Sequence, residues 1–187
     1  MEAVGPAVRQ GLVIWLPKVQ DYPCAFRRRR PGQCVTHPGR LSSDIVGCVN
    51  NFRAELIEAA QAVLRPHRTG DRLFGDVAAV LVTEAGHRFA GVSIDTGSGT
   101  GFCAEHSAIA AMVTAGEYRI AAIVAVWRDE KTSLYVLPPC GRCREFMRQV
   151  DSANLDTTVL LQGGRSALVR DLLPEYSWPE PEAEETA

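Results

Sequence analysis

Whatever this chain folds into has to carry Cys103-Ala104-Glu105 within a metal's reach of Pro139-Cys140-Gly141-Arg142-Cys143, across the intervening chain. Three thiolates can hold a zinc ion and leave its fourth position open, and that open position separates a catalytic zinc site from a structural one. Cys140 and Cys143 are three apart at the predicted start of a helix, so both sulfurs leave its first turn on the same side. Cys103 is predicted at the start of another helix. Two helix N-termini then face one ion, and their unpaired N–H groups favour negative sulfur. This matters because three thiolates overcompensate a divalent cation by one charge. Low thiol pKa values at helix N-termini make such a set feasible, and Arg142 adds a nearby cation.

Glu105 lies two residues from the first thiolate, where it can serve water at the open position without ligating the metal. Cys-x-Glu followed later by Pro-Cys-x-x-Cys is the signature of zinc enzymes that deaminate nucleobases. Zinc brings the pKa of water toward about 7, and a non-ligating carboxylate can move the protons. Structural zinc and a redox dithiol are the rival readings of a Cys-x-x-Cys pair. A closed structural site needs a fourth ligand, and His106 is the nearest candidate. Successive helical side chains fan by about 100°, so His106, adjoining Glu105, is expected off the face of Cys103. It is read as a hydrogen-bond donor behind the site or a packed histidine. Gly97, Gly99 and Gly101 do not meet the spacing of a dinucleotide or phosphate loop, and a tight wall beside the substrate is the better reading. Phe74 has two open readings, core or wall of the substrate ring.

The chain has 187 residues, 46% of them hydrophobic, enough for one ordinary domain with a real core. A net charge of −2 gives no electrostatic reason to expect nucleic acid or an anionic membrane as partner. No apolar run approaches the roughly 20 residues of a spanning helix, so a cytoplasmic enzyme without a membrane partner is expected. Residues 1–47, with Arg27–Arg30 and three prolines between Pro17 and Pro31, hold no sustained period and read as a disordered or non-native extension. Cys24, Cys34, His37 and Cys48 fit no common zinc knuckle, and no role is assigned to these cysteines. From 48 the pattern is globular. Apolar periodicity predicts a helix over 49–64, a hairpin over 77–83 and 88–94, and a helix over 103–115 closed by Gly116. Strands over 120–126 and 134–137, a helix over 139–150, a strand over 157–161 and a short element over 168–173 follow. The order β-β-α-β-β-α-β predicts an α/β domain over 48–178, a three-layer α/β/α sandwich with a mixed sheet of about five strands. Residues 179–187 read as a flexible acidic tail.

With these motifs in place, the stretch 52–178 resembles the cytidine deaminase superfamily, and within it the blasticidin-S deaminase-like branch. Cys-Ala-Glu at 103–105, Pro-Cys-Gly-Arg-Cys-Arg at 139–144 and Leu-Leu-Pro at 172–174 carry the resemblance. It implies that Cys103, Cys140 and Cys143 bind zinc, that Glu105 shuttles protons, and that the Ala104 backbone N–H meets the transition-state oxygen. It also implies a homotetramer whose active sites take residues from neighbouring subunits, with Tyr176 or Trp178 as contributors. Cytidine deaminases read ribose with a Gly-x-Asn-x-Glu segment, and here Gly91-Val92-Ser93-Ile94-Asp95 stands in its place. Ser93 lacks the paired donor and acceptor of an amide, and Asp95 keeps a carboxylate on a shorter arm. Phe74, Ser93, Asp95, Ala104 and Pro138 are the expected substrate contacts. The expected reaction is hydrolytic removal of an exocyclic amine, as ammonia, from a free small molecule. The expected substrate is cytidine, deoxycytidine or an aminopyrimidine nucleoside antibiotic such as blasticidin S. The alternatives are a non-ribosylated amino-heterocycle, or a structural-zinc module using its basic arm.

Overall fold

The computed structural model describes residues 42–177, without the side chains of 42–50 and Ser98. The arginine run, Cys24, Cys34, His37 and Trp178 lie outside the described residues, as does the side chain of Cys48. Two adjacent strands make the spine of the domain. β2 (Arg72–Thr83) and β4 (Ile120–Arg128) pair antiparallel from Val77↔Trp127 to Thr83↔Ile120. Both are almost continuously apolar because both of their faces are covered. Alternation sorts their side chains. Ala78, Val80 and Val82 with Ala122, Val124 and Val126 point one way, and Ala79 and Leu81 with Ile123 and Ala125 point the other.

The first face is covered by α1 (Ser42–Val63), which buries Phe52, Leu56 and Ala60 at the spacing of one helical stripe. Full burial of a side chain such as Leu56, which is 0% exposed, stabilises the fold by about 1.5–3 kcal/mol. The opposite face takes α2 (Ala104–Thr114), through Ala104, Ala108, Ile109 and Met112, and α3 (Gly141–Val150), through Met147. The short α4 (Val169–Leu172) adds Val169 to the same core. α2 ends where Gly116, at φ +80, adopts the left-handed conformation that glycine tolerates.

The three layers and mixed sheet are as the sequence predicts, but among the described residues the sheet has seven strands rather than about five. β3 (Arg88–Ile94) pairs with β2, β5 (Leu134–Leu137) and β6 (Thr158–Leu160) pair with β4, and β7 (Ser166–Leu168) pairs with β6. Among the described residues only the β4–β6 pairing is parallel. The two strands unforeseen by sequence are β1 (His67–Thr69) and β7, each of three residues and too short to show a period. β2 also starts earlier than its apolar run. Its N-terminal part, Arg72–Phe74, is joined to the rest through a register shift at Gly75 (φ +68) and Asp76. Among the described residues, no helix is long and apolar enough to cross a membrane.

Asn154 fastens α3 to the spine. It is 0% exposed. Its amide donates to the carbonyls of Tyr118 (2.9 Å) and Met147 (3.0 Å) and accepts from the Ile120 N–H (2.8 Å). Asn154→Ala removes three hydrogen bonds to the backbone, two of them buried, and is expected to cost about 2 kcal/mol. Thermal unfolding followed by circular dichroism should show a melting temperature lower by roughly 6 °C. An unchanged transition would refute the role given to Asn154.

Candidate active site

α2 and α3 begin in the same way. Cys103 and Cys140 are their N-cap residues, with near-identical extended dihedrals of φ −67, ψ 158 and φ −67, ψ 166. Each cap is followed by two residues and then by a third whose side chain turns back toward it. This places Cys143 under Cys140, with the sulfurs 3.4 Å apart and the Cys143 N–H donating to the Cys140 sulfur. The Cys103 sulfur lies 3.7 Å from that of Cys140. Cys143 is buried, Cys103 half-buried and Cys140 exposed. The loop before α3 is pinned by Arg144, whose guanidinium donates to the Pro139 carbonyl (2.8 Å) and to the Leu172 carbonyl (2.7 Å). The Leu172-Leu173-Pro174 stretch is thereby tied to the cysteine loop.

On α2, Glu105 is 5% exposed and its carboxylate meets the Cys143 side chain. Burial pushes the Glu105 carboxyl above its ordinary range, against the downward pull of its own backbone N–H and of Cys143. Burial also raises the Cys143 thiol strongly, with the Glu105 charge adding to it, and raises Cys103. Burial pushes Cys140 upward too, but the hydrogen bond from the Cys143 N–H and the sulfur contacts outweigh it and leave the thiol below its usual value. A positive charge at the centre would relieve every upward shift at once.

The structure corrects one expectation. His106 does share the face of Cys103: a nitrogen of its ring and the sulfurs of Cys103 and Cys143 all lie within 4.8 Å of one another. The 100° step separates His106 from Glu105, but the step that matters runs from 103 to 106. Residues three apart are neighbours on a helix surface. The ring stands edge-on to Phe146 at 4.5 Å between centroids. Burial, and then the charge of Arg142, hold its pKa below the usual histidine value. Thiolate sulfur and imidazole nitrogen are the donors zinc prefers, so the chemistry of this set fits zinc.

A cavity of about 290 Å³ opens beside Cys103, walled by Ser93, Asp95, Thr96, Phe102 and Arg142. Its rim is the loop between Ile94 and Phe102, whose ends are clamped by paired backbone hydrogen bonds of 3.0 and 2.9 Å. The structure therefore gathers Cys103, Cys140, Cys143, Glu105 and the first helical residue, Ala104, with Ser93 and Asp95 on the adjoining wall. Phe74 is half-buried and sits across the β2–β3 ladder from Ile94. Pro138 is exposed and precedes the cysteine loop. Neither is part of the cavity wall. Tyr176 lies under the Arg148 guanidinium, 5.9 Å from it, on the outer side of α3. Ser93 has a second commitment, because its hydroxyl donates to Asp76 (2.6 Å) and accepts from the Val77 N–H (3.1 Å).

The family model for the cytidine and deoxycytidylate deaminase zinc-binding region matches residues 51–157. Among solved structures, a cytidine deaminase from Mycobacterium leprae is 25% identical at a TM-score of 0.54, spanning 66% of this chain and 98% of its own. One from Burkholderia pseudomallei is 31% identical at a TM-score of 0.53, spanning 65% and 96%. One from Bacillus anthracis, 22% identical at a TM-score of 0.55 over 68% and 90%, shares the fold. The cofactor of this fold and donor set is zinc, and the chemistry is hydrolytic cleavage of a C–N bond. With more than half of its length matched and the thiol cluster at the centre of the match, the chain belongs to the cytidine and deoxycytidylate deaminase zinc-binding family.

Proposed function

We propose that the enzyme removes the exocyclic amine of a free cytosine-type nucleoside, or of an aminopyrimidine nucleoside antibiotic such as blasticidin S, releasing ammonia. The observation that carries this reading is the buried Glu105, one residue past Ala104 and in contact with Cys143, two residues along the chain from Cys103 on the wall of an open cavity. Cys103, Cys140 and Cys143 would hold zinc, which supplies the Lewis acidity that makes water a nucleophile near neutral pH. Glu105 takes one proton from the water as its oxygen bonds to the ring carbon and passes it to the ring nitrogen; it then takes the proton of the added hydroxyl and gives it to the amine, which leaves as ammonia as the C–N bond breaks and the carbonyl forms. Its raised pKa suits a group that must both accept and release a proton. The Ala104 N–H, at the N-terminus of α2, would donate to the oxygen on which charge develops.

Two features bear on the substrate. Asp95 presents a carboxylate on the cavity wall that can accept hydrogen bonds from sugar hydroxyls. Ser93 has its one donor engaged by Asp76, so the position that carries an amide in ribose readers has no free proton here. This second fact favours, as a second reading, an amino-heterocycle gripped without full ribose contacts. At about 290 Å³ the cavity is at the small end of ligand pockets, which accords with a homotetramer whose neighbouring subunit completes the wall.

The test is ammonia release from zinc-loaded protein offered cytidine, deoxycytidine, blasticidin S and a panel of free amino-heterocycles. Turnover of cytidine would assign a nucleoside-salvage role through Asp95. Turnover of blasticidin S alone would assign drug detoxification and the blasticidin-S deaminase-like branch, and turnover of the free heterocycles alone would favour the second reading. Silence on all of them, with zinc bound, would refute the substrate class proposed.

A further inference from the structure

The sheet runs on past the N-termini of α2 and α3. Ser107 of α2 bonds to the Val92 carbonyl (2.7 Å), and Phe102, just before the helix, pairs with Ile94. The start of α2 therefore stands at the Ser93 level of the sheet, and the sulfur contacts bring the start of α3 to the same place. Ala79, Ala125 and Leu137 form the row of side chains packed beneath the helices. Alternation puts the next row on this face at Ser93, Val77, Trp127 and Tyr135, across β3, β2, β4 and β5 in that order. Its first member walls the cavity beside Cys103, and its last two are aromatic. Trp127 and Tyr135 stack with ring centroids 5.4 Å apart and planes at 36°, within the range of favourable aromatic pairs. The Tyr135 hydroxyl donates to Asp129 (3.1 Å), whose other oxygen accepts from the Ser133 N–H (2.8 Å), so the β4–β5 turn holds the outer ring. Tyr135 is 39% exposed and Trp127 is half-buried. Phe74, the aromatic expected at the substrate, is absent from the cavity wall. A cavity of about 290 Å³ falls just below the range that encloses a whole ligand, and this row is the sheet surface that continues from its wall.

We propose that Trp127, backed by Tyr135, is a specificity-determining residue of this enzyme: the surface on which the planar amino-heterocycle of the substrate stacks. The inference rests on the reading of the chain as a deaminase of such a ring. It places the grip on the face of the heterocycle, which every member of the proposed substrate class carries, whereas the sugar meets a position where Ser93 has its one donor engaged by Asp76.

The test uses the full zinc-loaded Glu105→Gln chain labelled with fluorotryptophan, so that a ligand binds without being consumed. Fluorine NMR reports on Trp15, Trp127 and Trp178, and the resonance lost in Trp127→Phe is that of Trp127. Cytidine, blasticidin S and free cytosine are the probes. The Trp127 resonance should move with at least one of them, and Trp127→Ala should weaken binding of that ligand by about 10- to 100-fold in calorimetry. Trp127→Phe, which keeps a ring, should retain most of the affinity. A Trp127 resonance unmoved by every probe would overturn the proposal, as would an alanine variant that binds as tightly as its parent. A resonance that ignores the probes and shifts on protein dilution would overturn it too, because a second copy of the chain would then cover this face. Failure of the deaminase reading shows separately, as absent ammonia release from the wild type, whatever the fluorine signal does.

Discussion

Glu105→Gln is expected to lower ammonia release by about 10²- to 10⁴-fold, the usual contribution of a positioned general acid–base, while the protein keeps its zinc. Glutamine occupies nearly the same volume, so the packing of a residue that is 5% exposed is undisturbed. It cannot take a proton, and every proton transfer assigned to this enzyme passes through that carboxylate. The charge removed also works against the thiolates, because the Glu105 carboxylate pushes the pKa of Cys103, Cys140 and Cys143 upward. Removing it should leave zinc binding at least as tight as in the wild type. Metal content by atomic emission and turnover on the best substrate of the panel check both halves. Retained turnover would end the proton-shuttle role, and lost zinc would mean that Glu105 belongs to the metal shell.

Gly91→Ala is expected to be strongly damaging to both stability and turnover. A Cβ at this position of β3 would lie 2.3 Å from the Ala108 nitrogen and 2.4 Å from the Ser107 Cβ, so the backbone of α2 would have to move. Ser107 binds the same helix to the strand through a 2.7 Å bond from its hydroxyl to the Val92 carbonyl, which leaves little room for adjustment. Overpacking of this kind costs about 3 kcal/mol or more, or roughly 10 °C in melting temperature. α2 also carries Cys103 and Glu105, and a displacement of the order of 1 Å costs about 100-fold in rate. Gly97→Ala is the control, since a Cβ there meets nothing within 4 Å. Scanning calorimetry and turnover on the pair check the claim. Equal behaviour of the two variants would refute the close approach of α2 to β3.

The parts of this molecule that were legible in the sequence are those where one physical demand is repeated along a segment. The spine strands announce themselves because both of their faces are covered, and α1 because Phe52, Leu56 and Ala60 recur on one stripe. The thiol motifs are legible because residues three apart at a helix start must point together, wherever the helix lies. What stayed hidden depends on partners distant in sequence. The use of Ser93 inside the β2 bulge is decided by Asp76, across a register shift that no periodicity reveals. β1 and β7 exist because an edge was available to pair with. His106 was different: its three-residue spacing from Cys103 was visible, and reading it against its immediate neighbour hid it.

The clamp between Ile94 and Phe102 also bears on how such a protein changes over time. Because the two ends of the loop are bonded to each other, the segment between them is closed off before the catalytic helix begins. Its length can grow or shrink at an entropic cost that rises only logarithmically, without transmitting strain to Cys103. On the proposed reading, in which Asp95 meets the substrate, chemistry and selectivity are held on separable pieces of chain. Evolution, or an engineer, can exchange the second by cutting and splicing at two adjacent points while the first stays fixed.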